Sequence, residues 1–436
     1  MIRASLLVVL AVLTLSTATG GGVEDAVLAI VSGGTTSELV GLDPRSLEPV
    51  PGTPRVPLGL QDLPWARSPD GSMLAVGSGR STSIVFVDVR SMRRVGRVAT
   101  AFTTALAWPR ADRLVLLERG ARRWRFALVD PTTRTVLSRR GLGARRDVSA
   151  AALTRDGLAV LMTTRDRIAA PRLLVLDDGG RARRVSLPGI AAGSVRKEVG
   201  ARLHLWYRYP GLAVDAERDR AYVVTAGTSV AEIDLVTLAV SYRDVRFVRA
   251  RSLGEASVGT VSTPGSGGNA VSAGTQRQAY WLGNGLIAKA GWNERLVRDD
   301  AGRASSVDAP AGLALIDTRT WAARWLSRET RWFHATPDSI VAEIPPRRLP
   351  GTALVGFTHE GSERFKVELR GVWAGVQSAG DHVYLGLGAA YRPHPVEVLD
   401  ARTGERIGAP QAPGWVLLLS SSQPQFCWCY TGTTVG

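Results

Sequence analysis

Five histidines are the residues of this 436-residue chain whose type most readily supports acid–base or metal chemistry: His204, His334, His359, His382 and His394. They share no metal-binding spacing, and the chain has no H-E-x-x-H, G-x-S-x-G, phosphate-loop or dinucleotide-binding motif. His334 and His382 fall at or near the inner strand and first hairpin of a predicted repeat. If the repeats form a ring, residues distant in sequence can meet at its central channel. The simpler interpretation of all five is a packed or exposed side chain. The sequence therefore identifies no catalytic residue and predicts no cofactor and no metal site.

The two cysteines offer little further chemistry. Cys427 and Cys429 flank Trp428 beyond the last predicted strand. A bridge between them would close a small, strained ring and could not staple the fold. A thiolate metal site usually needs four ligands, and no other cysteine or histidine neighbours this pair. We expect residues 421–436 to form a peripheral tail.

Arginine dominates the charged residues. The chain has 54 basic residues, of which only Lys197, Lys289 and Lys366 are lysines, and its formal net charge is +15. Arg-Arg pairs fall mostly in predicted outer strands or loops, at 93–94, 122–123, 139–140, 145–146, 183–184 and 347–348. A basic surface attracts polyanions, and for an exported protein these include cell-wall polymers, acidic polysaccharides and anionic lipid surfaces. The alternative is that the arginines are simply solvated. Nucleic acid is not expected, because no aromatic stacking motif accompanies them.

Aspartate recurs at one place in a repeated pattern, in which a short apolar run ends at a turn and a second apolar run follows. The seven positions are Asp43, Asp88, Asp130, Asp177, Asp234, Asp317 and Asp400, and an eighth copy has Thr358 and His359 instead. A carboxylate at the first turn position accepts hydrogen bonds from backbone amides just after it. We therefore expect these aspartates to hold turns rather than to perform chemistry.

The elements that carry these turns are short strands. Alternating apolar positions predict half-buried strands, and a repeat of about 40 to 45 residues suits the four strands of one propeller blade. Residues 26–31 lack a preceding strand and residues 414–419 lack following strands, so the two termini together make one blade. The prediction is an all-β protein, a β-propeller of eight four-stranded blades, or alternatively seven, whose ring is closed by N- and C-terminal strands.

Two segments resemble known repeats. Residues 67–76, which include Ser68-Pro69-Asp70-Gly71, resemble the first hairpin of YVTN-type and WD40-like bacterial propellers. Asp400-Ala401-Arg402-Thr403-Gly404-Glu405 is similar to the repeat of quinoprotein-like eight-bladed propellers, as are residues 317–320 followed by Trp325. The resemblance covers roughly residues 26–419 and implies the fold rather than a function. The pair of adjacent cysteines found at the cofactor of quinoprotein dehydrogenases is missing.

Tryptophans recur near the start of the predicted blades, at Trp65, Trp108, Trp281, Trp332, Trp373 and Trp415. A large side chain repeated at one structural position indicates packing between blades. A carbohydrate or cofactor platform is the alternative interpretation.

Loop insertions interrupt the repeat near 188–208, 248–275 and 293–310. The second is rich in Gly, Ser and Thr, and the first ends in Trp206, Tyr207 and Tyr209. Long loops on a rigid scaffold often carry binding residues, although plain decoration explains them equally well.

The N terminus has the features of a secretory signal. Arg3 precedes an apolar run from Leu6 to Leu15, which is shorter than a bilayer span, and small residues follow it. We expect a signal peptide at 1–22, a propeller at 23–420, a secreted or cell-envelope location and no transmembrane segment after signal removal.

Two functions fit these features. The first is an exported, non-enzymatic, monomeric propeller scaffold that binds a protein or an anionic cell-envelope polymer. The second is an extracytoplasmic enzyme of lactonase-like or quinoprotein-like type with a site in the central channel. Convergence of carboxylates, histidines and arginines in that channel would favour the enzyme.

Overall fold

The computed structural model describes residues 26–59, 64–78, 82–120, 123–144, 146–199, 202–247, 270–298, 304–344, 352–369, 375–388 and 390–419. Every regular element that it assigns among these residues is a β-strand. None of the described residues belongs to a helix long and apolar enough to cross a membrane. The signal segment 1–22, Trp373 and the cysteine-containing tail lie outside the described residues.

The strands follow one another closely along the chain. The first eleven are β1 (Val27–Ser32), β2 (Ser37–Leu42), β3 (Val56–Gly59), β4 (Trp65–Arg67), β5 (Met73–Ser78), β6 (Ser83–Asp88), β7 (Arg93–Ala99), β8 (Phe102–Arg110), β9 (Arg113–Arg119), β10 (Arg123–Asp130) and β11 (Thr135–Ala144). The next twelve are β12 (Arg146–Thr154), β13 (Gly157–Thr164), β14 (Arg167–Ala169), β15 (Arg172–Asp177), β16 (Ala182–Ser186), β17 (Ala192–Val199), β18 (Arg202–Tyr209), β19 (Gly211–Asp215), β20 (Arg220–Val224), β21 (Ser229–Asp234), β22 (Val240–Asp244) and β23 (Arg246–Phe247). The remaining sixteen are β24 (Ala270–Gly283), β25 (Leu286–Arg298), β26 (Ala304–Pro310), β27 (Leu313–Asp317), β28 (Ala322–Ser327), β29 (Trp332–Ala335), β30 (Ser339–Ile344), β31 (Thr352–Thr358), β32 (Glu363–Leu369), β33 (Gln377–Ala379), β34 (His382–Leu385), β35 (His394–Pro395), β36 (Glu397–Asp400), β37 (Arg406–Gly408), β38 (Gln411–Ala412) and β39 (Trp415–Leu418).

Six four-stranded sheets form separate blades. We call them blade A (β39-β1-β2-β3), blade B (β4 to β7), blade C (β8 to β11), blade D (β19 to β22), blade E (β29 to β32) and blade F (β33-β34-β36-β37). The prediction of eight blades, or alternatively seven, is therefore wrong: the structure has six. The all-β propeller architecture itself is confirmed.

The blade count differs from the prediction because strands of the insertions join neighbouring strands into one 13-stranded sheet, here called the large sheet. In it, β17 touches the end of β13, and β18 pairs in parallel with β24 from Leu203↔Ala270 to Tyr209↔Gln276. Strands β12 to β16 and β24 to β28 therefore belong to one hydrogen-bonded sheet. All three segments predicted as loop insertions contain strand residues of this sheet: 188–208 includes β17 and most of β18, 248–275 includes the start of β24, and 293–310 includes the end of β25 and β26. Residues 248–269 lie outside the described part of the chain.

The two ends of the propeller meet in blade A. The C-terminal strand β39 pairs antiparallel with β1, from Ala29↔Leu418 to Ser32↔Trp415. This pairing covers an edge of β1 that would otherwise be open. The termini thus close the ring from both sides.

The hydrophobic core lies between successive sheets rather than inside any one of them. Between blades B and C, for example, Phe86 packs edge-on against Trp108 with ring centroids 5.7 Å apart. Similar clusters join each sheet to the next around the ring and join blade F back to blade A. First strands such as β4 and β8, or β29 and β33, contact one another, which makes them the inner strands and leaves the last strand of each sheet outermost.

The aspartate turns form as the sequence predicts. Asp234, for example, accepts hydrogen bonds from the backbone amides of Val236 at 2.9 Å and Thr237 at 2.7 Å. These bonds hold the pKa of the Asp234 carboxyl below its ordinary value, with the Thr237 amide as the largest cause. All seven carboxylates accept backbone amides in this way: Asp43, Asp88, Asp130, Asp177, Asp234, Asp317 and Asp400.

Candidate functional site

Arginines concentrate on the outermost strands of three consecutive sheets. We call these strands, β7, β11 and β16, the basic band. Their seven arginines are Arg93, Arg94, Arg97, Arg139, Arg140, Arg183 and Arg184, and none of the three strands contains aspartate or glutamate. Six of the seven are exposed, and Arg183 is half-buried. The basic band therefore presents positive charge along one sector of the rim.

Two members of the basic band are anchored by local contacts. Arg139 forms an ion pair with the fully buried carboxylate of Glu118, with 3.3 Å between Nε and Oε2. Arg183 donates a hydrogen bond of 2.6 Å to the backbone carbonyl of Val236 in blade D. These two arginines serve the fold, and the other five remain available to a ligand.

Two outer strands elsewhere in the ring, β22 and β32, carry mixed charge. In β32, Glu363 and Glu368 accompany Arg364 and Lys366, and in β22 Asp244 follows Arg243 directly. Among the described outer strands, only those of the basic band combine two or more arginines with no carboxylate, a concentration that the net charge alone does not predict.

A cleft between blade C and the β12 to β16 part of the large sheet extends the basic band inward. Its floor is apolar and includes Phe126, Leu128, Met162 and Leu174. Residues directly opposite each other in neighbouring strands share a face of the sheet. Pairing therefore places three arginines on the faces that line this cleft: Arg140 opposite Phe126, Arg172 opposite Met162 and Arg184 opposite Leu174.

Arg146 lies at one end of this cleft, two residues before the buried Val148 on β12. Burial lowers the pKa of its guanidinium, and repulsion from Arg172, Arg167 and Arg184 lowers it further. Its Nη1 atom is buried and has no hydrogen-bond partner among the described residues. Arg167, Arg172 and Arg184 therefore all lie close enough to Arg146 to repel it, and we call these four residues the arginine cluster.

The opposite end of the same cleft opens into a pocket of about 360 Å³ lined by Arg110, Arg113, Arg140, Ser138 and Asp178, among others. Here carboxylates already neutralise two of the cations. Arg110 lies 3.4 Å from Asp178, and Arg113 lies 2.9 Å from Asp112. The pocket is therefore less positive than the arginine cluster, although the Oγ atom of Ser138 is buried without a described partner.

A second polar group links residues of all three predicted insertions. On β18, Tyr207 donates a hydrogen bond of 2.8 Å to Glu294 on β25, and Ser272 donates to the other oxygen of that carboxylate at 2.5 Å. The indole of Trp292 donates to the Tyr207 hydroxyl at 3.1 Å. Burial is the largest cause that raises the pKa of Tyr207. Because both oxygens of Glu294 are engaged, this group links the strands of the insertions.

Further ionisable residues beside this group are also paired. Asp308 lies 2.9 Å from Arg331, whose guanidinium stacks on Trp292 at 5.0 Å. The buried Lys289 donates to the carbonyl of Gly227 at 3.0 Å, and burial, with repulsion from Arg277, lowers its pKa to about 8. Burial also lowers the pKa of Arg277 to about 10. These contacts hold strands together.

The five histidines lie apart. His204 stacks on Trp206 at 5.6 Å, His382 lies 6.1 Å from Tyr384, and His359 is 3.0 Å from the carbonyl of Thr336. His394 lies 2.6 Å from the carbonyl of Gly386. Within the described ranges, no three residues of the types His, Cys, Asp and Glu are grouped as a metal ion requires.

His334 differs from the other four histidines and was one of the two that the sequence singled out. It lies on the inner strand β29, and its Nε2 atom is buried without a partner among the described residues. Burial lowers its pKa to about 4, so the imidazole is neutral at physiological pH. His382, the other candidate, lies on blade F rather than blade E.

Five of the six repeated tryptophans lie on inner strands: Trp65 on β4, Trp108 on β8, Trp281 on β24, Trp332 on β29 and Trp415 on β39. Trp281 stacks on Tyr222 of blade D at 5.5 Å, and Trp332 meets Trp292 edge-on at 5.1 Å. These contacts agree with packing between neighbouring sheets.

Comparison with solved structures confirms the resemblance to β-propellers. The chain is similar to the dihydro-heme d1 dehydrogenase NirN in complex with DHE, with a TM-score of 0.55, 14% identity, and coverage of 94% of this chain and 77% of that chain. It is also similar to apo AztD from Citrobacter koseri (TM-score 0.49, 10% identity, 90% and 97% covered) and to BamB from Moraxella catarrhalis (0.46, 11%, 83% and 91%). At such low identities the likeness concerns the fold. No protein-family profile and no curated protein sequence matches the chain.

Proposed function

We propose that this protein is an exported, non-enzymatic β-propeller that binds an anionic polymer of the cell envelope through its basic band. The observation that carries the proposal is the segregation of arginines to β7, β11 and β16, three neighbouring outer strands without a carboxylate. Such a surface attracts anions and orients them toward one sector of the ring.

The extent of the basic band favours a polymer over a small ligand. Its arginines are distributed over blade B, blade C and the large sheet, so a single small anion reaches only a few of them. A chain with repeated negative groups engages several sheets at once and gains affinity from each additional contact. Hydrophobic packing between the sheets holds the arginines in fixed relative positions, which reduces the entropy lost on binding.

Export and the domain boundaries are part of the proposal. The signal segment at 1–22 directs a propeller at 23–420 out of the cytoplasm, where envelope polymers are encountered. We propose that the propeller acts as a monomer; its ring is closed by its own termini, so no partner strand is needed to complete it.

The enzyme alternative receives less support from the ionisable residues. Carboxylates near the inner strands of the large sheet are already engaged, as Glu294 is by Tyr207 and Ser272, and Asp308 is by Arg331. A general base needs a free oxygen at its substrate. For this alternative, His334 is the first residue to substitute when a ligand screen gives a positive result.

The proposal predicts salt-dependent binding. We expect the mature protein, from Val23 onward, to bind immobilised poly(glycerol phosphate) and not neutral dextran. Because salt screens exposed charges, the affinity falls at least about tenfold when NaCl is raised from roughly 0.05 to 0.3 M. Surface plasmon resonance across this range measures the effect. An affinity that is independent of salt, or equal binding to dextran, contradicts the proposal.

A further inference from the structure

The arginine cluster brings four cations together at one end of the cleft without a described counter-charge. Among the ion pairs of the described residues, none involves Arg146, Arg167, Arg172 or Arg184. Asp147, which follows Arg146 in sequence, lies 2.7 Å from Arg165 instead, and Asp166, which precedes Arg167, forms no ion pair with the cluster among the described residues. Like charges at short range repel each other, so this arrangement costs free energy in the absence of an anion.

The geometry of the cluster suits a bound anion rather than solvent. Arg172 and Arg184 share a sheet face with the core residues Met162 and Leu174, so their side chains lie over an apolar floor. The Nη1 atom of Arg146 is buried, and a buried donor without a partner is costly unless a ligand satisfies it. An anion can reach the cluster from solvent, because two of its arginines are exposed, Arg167 and Arg184, and two are half-buried, Arg146 and Arg172.

We infer that Arg146, Arg167, Arg172 and Arg184 form a binding site for a tetrahedral oxyanion group, a phosphate or sulfate, carried by the anionic polymer. A guanidinium binds such a group through two parallel N–H donors, and three or four guanidinium groups can surround its oxygens. A carboxylate has only two coplanar acceptor oxygens, whereas a tetrahedral group presents oxygens in several directions to guanidinium groups that come from different strands. This inference rests on the proposed function for the source of the anion, but the site itself is testable with free ions.

The experiment is thermal unfolding of the mature protein in inorganic phosphate, inorganic sulfate or chloride at equal ionic strength. A ligand that binds only the folded state raises the melting temperature. We expect phosphate, sulfate or both to raise it by about 1 to 3 °C relative to chloride. The ion with the larger shift identifies the preferred oxyanion, and no shift with either ion overturns the inference.

Substitutions locate the site. Arg146→Gln and Arg184→Gln should each abolish the oxyanion-dependent shift, and in chloride each variant should melt at or above the wild-type temperature, because a repelling charge is removed. Arg406→Gln, which removes one exposed arginine from blade F, is the matched control and should keep the full shift. If Arg146→Gln does not fold, the exposed Arg184→Gln still decides the question. A shift that persists in a folded variant contradicts the assignment.

Polymer binding separates this inference from the proposed function. If the wild type binds poly(glycerol phosphate) but no oxyanion shifts its melting, the arginine cluster is not the site and the basic band acts alone. If an oxyanion stabilises the protein but no polymer binds, the cluster is a small-anion site and the proposed function is wrong.

Discussion

At the scale of single residues, the positions of the arginines matter more than their number. Arg139 and Arg140 are adjacent in sequence, yet Arg139 pairs with the buried Glu118 whereas Arg140 lines the cleft. Strand alternation produces this difference because neighbouring side chains point to opposite faces. A basic composition thus contains both structural and ligand-accessible arginines.

The Tyr207 hydroxyl provides a test of whether the second polar group is structural. In Tyr207→Phe, the indole N–H of Trp292 and one oxygen of Glu294 lose their partner, so we expect the free energy of unfolding to fall by about 1 to 3 kcal/mol. Urea denaturation measures the change. Val236→Ala, at an exposed valine, is the control and should change stability by less than about 0.5 kcal/mol. A stable Tyr207→Phe variant would contradict the structural role.

The sequence revealed only part of the candidate site. The Arg-Arg pairs at 145–146 and 183–184 were recognisable, and Arg183 and Arg184 lie on the outer strand β16 as predicted, whereas Arg146 lies on β12, at the other side of that part of the large sheet. Their convergence with Arg172 was not recognisable, because it depends on the register between β13, β15 and β16. A shift of one residue in that register would turn the arginines to the opposite face.

At the scale of elements, local patterns predicted the hairpins and missed the long-range pairing. Alternating apolar residues and the turn aspartates indicated strands such as β6, β10 and β21 directly. The parallel pairing of β18 with β24 joins segments separated by all of blade D, and no local signal specifies it. This pairing is the reason that the predicted blade count was wrong.

Gly274 permits that pairing. A Cβ atom on Gly274 would lie 2.2 Å from the carbonyl oxygen of Tyr207 and 2.7 Å from its ring, so Gly274→Ala must separate β18 from β24. We expect a loss of at least about 2 kcal/mol in unfolding free energy, with increased hydrogen exchange in β18. Gly33→Ala is the control, because nothing lies within 4 Å of its Cβ position. Equal stability of the two variants would show that β18 and β24 are not in close contact.

At the scale of the whole molecule, the proposed binding of an anionic polymer depends on a closed ring that holds the basic band in one sector. The interblade cores fix the relative positions of the sheets, so the arginine-bearing strands β7, β11 and β16 hold fixed positions relative to one another. The net charge of +15 strengthens the attraction at long range, and the distribution of arginines gives it direction.

The most direct test compares two triple variants that carry the same net charge. One is Arg93→Gln, Arg94→Gln and Arg97→Gln, all on β7 of the basic band. The other is Arg243→Gln, Arg324→Gln and Arg406→Gln, exposed arginines on β22, β28 and β37 outside the basic band. At about 0.1 M salt, we expect the first to weaken binding to poly(glycerol phosphate) about tenfold or more and the second to weaken it less than about threefold. An equal loss in both variants would mean that net charge, and not the basic band, attracts the polymer, and would contradict the proposed function.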